Sequence, residues 1–231
     1  CLSIDGDETM NDIHRKKDQT GTYQSIIETL DILKSHRKTP VVRTTVTKYN
    51  VNQLIAIVEH FIHDLKLFDI QVEPVYRLKE QTDLAPSAED FAENVLKAKD
   101  YAARYGARVV YSGYRKGENH GRYCNIDKQV LFIGPNGVAS NCLFRESESK
   151  NSPYAIGYYD PEQDQFILEE EKILKLEEGS RKNFLECEQC AIVDSCVKGC
   201  PDICIFEENI RYPITDSLRC RVNRLLLQNE Q

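Results

Sequence analysis

Apolar residues recur with two different periods along the first half of the chain. Short β-branched runs predict four strands, at 1–4 (CLSI), 39–47 (TPVVRTTVT), 68–75 (FDIQVEPV) and 107–113 (ARVVYSG). Between these runs, apolar positions at helical spacing predict three helices, at 22–36, 51–67 and 88–106. Strands that alternate with helices of this length are typical of a parallel sheet with right-handed crossovers. The first half is therefore predicted to have an α/β fold.

Polar residues indicate where two of these helices begin and where one of them ends. Asn50, with Gln53 three residues later, predicts a capping box at the start of the second helix. Ser87, with Asp90 three residues later, predicts the start of the third helix, and Gly106 predicts its end.

The pattern changes after Gly113. Helical periodicity gives way to short segments, turns and cysteines, so the chain is divided into residues 1–113 and 114–231. In the second part, the GPNG sequence at 134–137 predicts a hairpin turn, and Asp160-Pro161 predicts another turn. The acidic run that follows, EEEKILKLEEG, is interpreted as a solvated helix face.

Composition and charge exclude several classes of protein. The chain has 231 residues, of which 41% are hydrophobic, and a net charge of −7, which disfavours a nucleic-acid-binding surface. Its apolar runs are short and interrupted by charges, so no membrane span is predicted. No basic segment followed by an apolar stretch is present, so no signal peptide is predicted either.

The cysteines are distributed very unevenly. Of the nine, only Cys1 lies in the first 123 residues, and five fall within residues 187–204. No histidine follows His120, so a metal bound in that region would be held by sulfur alone. A disulfide framework is the alternative, but the helical first half and the absence of an export signal favour metal binding.

The cysteine spacing favours two metal centres. The second half reads Cys124-x12-Gly137-x4-Cys142, then Cys187-x2-Cys190-x5-Cys196-x3-Cys200, and after nineteen residues Cys220. These are more sulfurs than one zinc ribbon needs, and a Cys-x2-Cys turn lets two thiolates point at one centre. A set of thiolates suits either zinc or iron–sulfur clusters, and the spacing does not choose between them.

This seven-cysteine pattern, with a glycine five residues before the second cysteine, resembles the SPASM domain of radical S-adenosylmethionine (SAM) enzymes. The first half resembles the back half of the radical SAM partial (β/α) barrel, in the segments LSIDGDETMNDIHRK, TGTYQSIIETLDILK and VVRTTVTKYN. The resemblance covers essentially residues 1–225. It implies three to four βα units of the barrel over residues 1–113, followed by a small cysteine-rich SPASM domain over 114–231.

The resemblance also implies cofactors and the residues that bind them. In this family the SPASM domain binds two auxiliary 4Fe–4S clusters. The ligands of one cluster would be Cys187, Cys190, Cys196 and Cys220. Those of the other would be Cys124, Cys142 and Cys200, with Cys204 as a candidate for the remaining iron and a buried thiol as its alternative role. Ser3 and Arg15 match family residues near S-adenosylmethionine, at the carboxyl ends of strands.

Two departures from the family pattern change these expectations. The Cys-x3-Cys-x2-Cys motif that holds the SAM-cleaving cluster is absent. We therefore expect this chain to be the C-terminal part of a larger enzyme, completed by upstream residues or by another chain. SAM and a third 4Fe–4S cluster would bind only with that missing part. Leu143 follows Cys142 where sulfatase-maturating relatives have an aspartate base, which disfavours sulfatase maturation.

The leading hypothesis is the C-terminal portion of a radical SAM/SPASM oxidoreductase that modifies a peptide or protein substrate. Such an enzyme would need an electron donor and a reducing cytoplasm, and neither a nucleic acid nor a membrane is expected as a partner. The alternatives are a non-catalytic iron–sulfur accessory or peptide-binding subunit, and a zinc-binding interaction module. No residue is clearly placed as an acid or a base, so the catalytic residues are unassigned.

Overall fold

The structure is a computed structural model that describes residues 1–75, 84–121, 130–141, 150–152, 154–183, 185–198 and 217–229. The chain forms two compact units, one of Cys1–Asn119 with Leu218–Gln231 and the other of His120–Ser217. The two domains expected from the sequence, 1–113 and 114–231, stay a prediction.

The first unit is built on a four-stranded parallel sheet. Its strands are β1 (Leu2–Ser3), β4 (Val42–Val46), β5 (Asp69–Pro74) and β6 (Arg108–Val110), in that spatial order, and a short antiparallel pair, β2 (Lys16–Lys17) and β3 (Thr20–Gly21), follows β1 in the chain. In register, Leu2 lies opposite Val42, Val42 opposite Ile70, and Ile70 opposite Val109. The four predicted strands and the α/β fold with a parallel sheet are confirmed.

The helices of the described chain are α1 (Glu8–His14), α2 (Tyr23–Ser35), α3 (Leu54–His63), α4 (Ala88–Arg104), α5 (Glu170–Asn183) and α6 (Leu218–Asn229). The three helices predicted for the first half are α2, α3 and α4, and a 3-10 turn at Val51–Gln53 precedes α3. In the first unit, α3 packs against α4, and the C-terminal α6 packs against α4.

The core of the first unit lies between these helices and one face of the sheet. The sheet contributes Val42, Val46, Ile70 and Val72, and the helices contribute Leu30, Leu54, Phe61, Phe91 and Val95, all at most 2% exposed. Burying one such side chain stabilises the fold by about 1.5–3 kcal/mol. The apolar periodicity of the helices therefore identifies the face that packs on the sheet.

Two predicted helix caps have different outcomes. Ser87 caps α4 as predicted, because its Oγ accepts a hydrogen bond from the Asp90 N–H at 2.9 Å. The capping box at Asn50 is wrong. The Asn50 side chain makes no cap bond and turns back toward β4, where its Oδ1 accepts from the Thr47 N–H at 2.7 Å and its Nδ2 donates to the Thr45 carbonyl at 3.0 Å.

The second unit contains an antiparallel sheet. Its strands are β7 (Phe132–Ile133), β8 (Val138–Ser140), β9 (Ala155–Asp160) and β10 (Gln165–Leu168), in the spatial order β10-β9-β8-β7. The predicted GPNG turn joins β7 to β8, and Gly137 has a φ of +74°, which favours glycine. A Cβ on Gly137 would also lie 3.3 Å from the Tyr159 Cβ. The predicted turn at Asp160 joins β9 to β10.

The helix α5 contains most of the acidic run, and its described side chains are exposed or half-buried, as expected for a solvated face. A 3-10 turn at Leu185–Cys187 follows it. Across the described residues, no helix has the length and apolarity to cross a membrane.

Candidate functional site

One face of the parallel sheet is polar, and it lies opposite the face that packs on the helices. The strand register places Ser3 beside Arg43 and Arg43 beside Gln71. Two residues further along, it places Thr45 beside Glu73. Because side chains alternate between the faces of a strand, these residues share one face. Polar groups from three strands therefore meet toward the carboxyl ends of the sheet, where ligands of parallel α/β folds bind.

Asp5 and Arg15 form the ion pair at the carboxyl end of β1. The Arg15 Nε lies 2.7 Å from the Asp5 Oδ2, and the Arg15 Nη2 donates to the Asp5 Oδ1 at 3.0 Å. The same Oδ1 accepts from the Thr45 N–H at 2.8 Å, so the carboxylate links β1, β4 and the end of α1. Asp5 is 3% exposed and Arg15 is 28% exposed. Such a bidentate pair fixes the guanidinium plane while one edge of it still reaches solvent.

The short helix α1 places Arg15 at this end of the sheet. Asp7 caps α1 by accepting a hydrogen bond from the Met10 N–H at 2.9 Å, and Arg15 is the residue that ends the helix. Within α1, the fully buried Asn11 accepts the Asp5 N–H through its Oδ1 at 3.1 Å. The turn after β1 and the side chain of Arg15 are therefore held by the same helix.

Asp12 and Gly21 connect α1 to the start of α2. The Asp12 Oδ1 accepts the backbone N–H groups of Thr22 and Tyr23, both at 3.0 Å, which satisfies donors at the helix start. The contact requires glycine at position 21. A Cβ added to Gly21 would lie 1.8 Å from the Asp12 Oδ2 and 2.7 Å from the Asp12 Cβ.

A second ion pair is buried at the carboxyl end of β5. Glu73 and Arg219, the latter on α6, are 3% and 4% exposed, and the Arg219 Nη2 lies 3.9 Å from the Glu73 Oε2. The other carboxylate oxygen accepts from the Ser112 N–H and from the Gln71 Nε2, both at 3.0 Å. Burial lowers the pKa of Arg219, and the negative charge of Glu73 opposes that change.

The helix α6 has further contacts with the first unit near this pair. The Asn223 Nδ2 donates to the Gly113 carbonyl at 2.9 Å, and the Arg221 Nη2 lies 2.7 Å from the Glu89 Oε1. Arg219 and Arg221 flank Cys220, which is half-buried. The position of the Cys220 backbone is therefore set by polar contacts with β5, α4 and the segment after β6.

Two residues, Ser3 and Arg15, are predicted from the sequence to contact S-adenosylmethionine (SAM, also called AdoMet). Both lie at the carboxyl end of β1. Ser3 is exposed and shares its face with Arg43, whereas Arg15 is held by Asp5. Their part in cofactor binding stays a prediction.

Half of the predicted cluster ligands fall on described residues. Cys187, Cys190 and Cys196 belong to the second unit and Cys220 to the first, and all four are half-buried. Within the described segments, no group of three or more His, Cys, Asp or Glu side chains is arranged to hold a metal ion. Four further predicted ligands lie outside the described residues: Cys124, Cys142, Cys200 and Cys204. The ligand sets therefore stay predictions.

Lys198 organises the loop that contains Cys190 and Cys196. Its ammonium group donates to the carbonyl oxygens of Val193 at 2.8 Å, His120 at 3.1 Å and Cys196 at 3.4 Å. The His120 N–H also donates to the Asp194 carbonyl at 2.7 Å. The lysine ammonium thus ties the loop to the first residue of the second unit.

Sequence reasoning missed the roles of Glu73, Arg219 and Lys198. A signal for Arg219 was present, because it precedes the buried Val222 and Leu226 by three and seven residues, which places it on the buried face of α6. Glu73 and Lys198 had no such signal, since their partners are distant in the chain or are backbone atoms.

Comparison with solved structures identifies proteins of similar fold. Native anSMEcpe with bound AdoMet and a Cp18Cys peptide has a TM-score of 0.67 and 15% identity, over 98% of this chain and 65% of that chain. A histidine-tagged form of anSMEcpe with bound AdoMet has a TM-score of 0.66 and 14% identity, over 98% of this chain and 62% of that chain. This chain shares its fold with anSMEcpe.

The anSMEcpe protein is an anaerobic sulfatase-maturating enzyme, a radical SAM/SPASM enzyme. Our chain spans less than two thirds of the length of these solved chains. No family model matches the sequence, and no curated protein matches it. The similarity is therefore one of fold, at low sequence identity.

Proposed function

We propose that this chain is the C-terminal portion of a radical SAM/SPASM oxidoreductase that modifies a peptide or protein substrate. The observation that carries the proposal is a fold shared over 98% of the chain with an enzyme solved with AdoMet and a peptide bound. The seven-cysteine pattern of the second half supports the same function independently, because it comes from the sequence and not from the fold.

The sheet topology supports a partial barrel over the first half. Parallel strands in sequential order, β1-β4-β5-β6, have crossovers of one hand, which places all connecting helices on one face. In a barrel the opposite face lines the interior, and the active site lies at the carboxyl ends of the strands. The polar face defined by Ser3, Arg43 and Gln71 is where the proposal places the substrate.

Arg15 and Ser3 are proposed to bind S-adenosylmethionine. Two nitrogens of the Arg15 guanidinium are engaged by Asp5, and its partly exposed edge suits a carboxylate or hydroxyl group of a ligand. Ser3, two residues before Asp5 on the same strand face, offers a hydroxyl donor and acceptor to the same space.

The second half is proposed to hold two auxiliary 4Fe–4S clusters. The proposed ligands of the first are Cys187, Cys190, Cys196 and Cys220, and those of the second are Cys124, Cys142 and Cys200 with Cys204 as the candidate for the last iron. The Cys190 N–H donates to the Cys187 carbonyl at 3.1 Å, and this tight turn fits a pair of thiolates that share one centre. When bound, iron–sulfur clusters supply electron transfer, and the protein supplies position and exclusion of water.

The substrate proposal is a peptide or protein other than a sulfatase. The structural relative was solved with a peptide bound, which supports a peptide substrate. The leucine at position 143, outside the described residues, stands in place of the aspartate base that sulfatase maturation would need. An external electron donor completes the proposed reaction.

Anaerobic purification tests the metal assignment. We expect a brown protein with acid-labile sulfide and about four irons for each cluster. Cys187→Ala should remove about half of the iron, while Cys1→Ala, at an exposed residue outside the proposed ligand sets, should leave the iron content unchanged. A colourless protein that contains only zinc would establish the interaction-module alternative.

Equilibrium binding of S-adenosylmethionine, measured anaerobically on this chain together with the part that holds the SAM-cleaving cluster, tests the role of Arg15. We expect Arg15→Met to weaken binding by about 10–100-fold, the effect of one charge-assisted hydrogen bond. Arg115→Met is the matched control, because Arg115 is an exposed arginine that pairs with the nearby Glu118. Circular dichroism of both variants verifies folding. Equal affinities of the wild type and a folded Arg15→Met variant would contradict the assignment.

A further inference from the structure

The polar face of the parallel sheet is open in two neighbouring rows. One row consists of Ser3, Arg43, Gln71 and Val110, and the row before it includes Asp69 and Arg108. Gln71 and Val110 are half-buried, and the other four residues are exposed. The opposite face of the same strands is buried against the helices. Parallel sheets in soluble proteins have both faces covered, so we expect a further group to cover this face in the working protein.

Arg43 is the one charged residue on this face that has no partner among the described residues. The three carboxylates that lie on the described part of the face each pair with a different arginine: Asp5 with Arg15 at 2.7 Å, Asp69 with Arg108 at 2.9 Å, and Glu73 with Arg219 at 3.9 Å. The Arg43 side chain, by contrast, forms no ion pair and no hydrogen bond with any residue that the structure describes. Its diagonal neighbours in the register, Asp69 and Glu73, already hold other arginines. The face therefore carries an uncompensated positive charge at its centre.

The charge of Arg43 determines which chemical group can cover it. A guanidinium stays protonated at neutral pH, and covering it without an anion is costly because water is removed from the charge. A carboxylate fits best, since the planar guanidinium donates two parallel hydrogen bonds to its two oxygens. Ser3 and Gln71, on the adjacent strands about 5 Å to either side, offer a hydroxyl and an amide to the same ligand.

We infer that Arg43 binds a carboxylate of the peptide substrate, so that the substrate class is a peptide with an aspartate or glutamate side chain at this face. The inference rests on the proposed function, in which Arg15 and Ser3 bind S-adenosylmethionine and the substrate lies on the polar face. The cofactor and the substrate would then have separate arginines: Arg15, whose guanidinium is held by Asp5, and Arg43, which has no such partner.

A fixed carboxylate of the larger enzyme is the competing partner for Arg43. The substrate is favoured because the carboxylates already built into this end of the sheet, Asp5 and Glu73, are at most 3% exposed, whereas Arg43 is open to solvent. The two partners also differ in their effect on stability. A fixed carboxylate would make Arg43 stabilise the enzyme before any substrate binds, and a substrate carboxylate would not.

Competition between two peptide pools tests the inference on the complete enzyme, that is, this chain together with the part that holds the SAM-cleaving cluster. The pools are heptapeptides blocked at both ends, with mixed uncharged residues, and they differ only in having glutamate or glutamine at the central position. Both pools are offered together to the immobilised anaerobic enzyme with S-adenosylmethionine, and the retained peptides are quantified by mass spectrometry. We expect the glutamate pool to be enriched at least about tenfold, the effect of one charge-assisted hydrogen bond.

Three variants assign the enrichment to one side chain. Arg43→Gln should abolish the preference for glutamate, and Arg43→Lys, which keeps the charge but not the planar fork of donors, should retain part of it. Arg104→Gln is the matched control, because Arg104 is an exposed arginine of α4 that also has no side-chain partner among the described residues. Without substrate, the thermal unfolding midpoint of each variant should match that of the wild type, since no variant loses an ion pair.

Any of four results with the peptide pools and the unfolding curves would overturn the inference. The enzyme retains neither pool, it retains both equally, the Arg43→Gln variant keeps the wild-type preference, or Arg43→Gln lowers the unfolding midpoint, which would assign Arg43 to a carboxylate of the enzyme itself. A weaker affinity of Arg43→Gln for S-adenosylmethionine would overturn it as well, because Arg43 would then belong to the cofactor site. Reductive cleavage of SAM to 5′-deoxyadenosine by the same preparation reports the proposed function separately, so the inference can fail while that function stands.

Discussion

Replacing Glu73 with glutamine tests whether the buried ion pair fixes the C-terminal helix on the sheet. The change preserves the size of the side chain and an oxygen that accepts the Ser112 N–H, but it removes the charge 3.9 Å from the Arg219 Nη2. Both partners are at most 4% exposed, so water screens the guanidinium poorly. Because burial already lowers the pKa of Arg219 and the Glu73 charge opposes that shift, the variant leaves the cation less stable.

The expected magnitude follows from this burial. Removing one partner of a buried ion pair destabilises a protein by about 3–5 kcal/mol. The separation of 3.9 Å is longer than a hydrogen bond, which places Glu73→Gln toward the lower end, at about 3 kcal/mol. That loss is a large part of the roughly 5–15 kcal/mol that stabilises a typical domain.

Urea unfolding of a double-mutant cycle measures the effect. The variants are Glu73→Gln, Arg219→Met and the double change, and the double change is expected to cost about 1–3 kcal/mol less than the sum of the single changes. Glu89→Gln is the matched control, because Glu89 pairs with Arg221 on the same helix at an exposed site, and its unfolding midpoint should match that of the wild type. A loss below about 1 kcal/mol for Glu73→Gln, or additive single effects, would refute the reasoning.

Three other contacts give separate predictions. Lys198→Met removes a cation from three carbonyl oxygens, and we expect the thiols of its loop to react faster with iodoacetamide. Gly21→Ala should lower the free energy of unfolding by at least about 1 kcal/mol in urea, because the new Cβ displaces Asp12 from the start of α2. The hydrogen bond to Asp164 raises the pKa of Tyr159, so Asp164→Asn should lower that pKa in an ultraviolet pH titration. A raised pKa favours the neutral phenol. The stabilisation from this contact is therefore fully present below the ordinary tyrosine pKa, and it is lost as the pH rises through the raised pKa of Tyr159.

Each of these predictions has a control. Lys175→Met removes a cation that pairs with Glu171 on exposed α5, and it should not change the thiol reaction rate. Gly121→Ala places a Cβ in open space and should leave the unfolding free energy close to that of the wild type. Tyr159→Phe identifies the Tyr159 phenol in the titration. Unchanged rates, an unchanged unfolding curve or an unshifted Tyr159 pKa would contradict the corresponding contact.

The elements of the first unit follow from the sequence because their signals are local. The β-branched runs give the strands, and Leu54, Ile57, Val58 and Phe61 repeat on one face of α3 and are buried there. Ser87 caps α4 because its partner is three residues away. The error at Asn50 has a different cause. Its local pattern fits a cap, but its amide bonds instead to the backbone of Thr47 and Thr45, three and five residues earlier, and this competing local contact overrides the motif.

The candidate site was only partly predictable because its contacts join residues that are distant in the chain. The sequence places Ser3 and Arg15 near a strand end, yet the role of Asp5 depends on a contact with Thr45, forty residues away. The partner of Glu73 is more distant still, on the last helix. Hydrophobic periodicity records which face of an element is buried, but it does not record which charged group lies opposite a buried charge.

The C-terminal helix α6 contains both a cysteine singled out from the sequence and contacts that only the structure shows. Leu218–Gln231 belongs to the compact unit that contains the parallel sheet, although it follows the cysteine-rich region in the chain. Cys220, one of the proposed cluster ligands, lies between two arginines that pair with Glu73 on β5 and Glu89 on α4. Because a helix moves as a rigid element, these contacts fix the backbone of Cys220 relative to the polar face of the sheet. Substitutions at Glu73 are therefore expected to loosen the backbone of Cys220 together with the packing of α6 in the first unit.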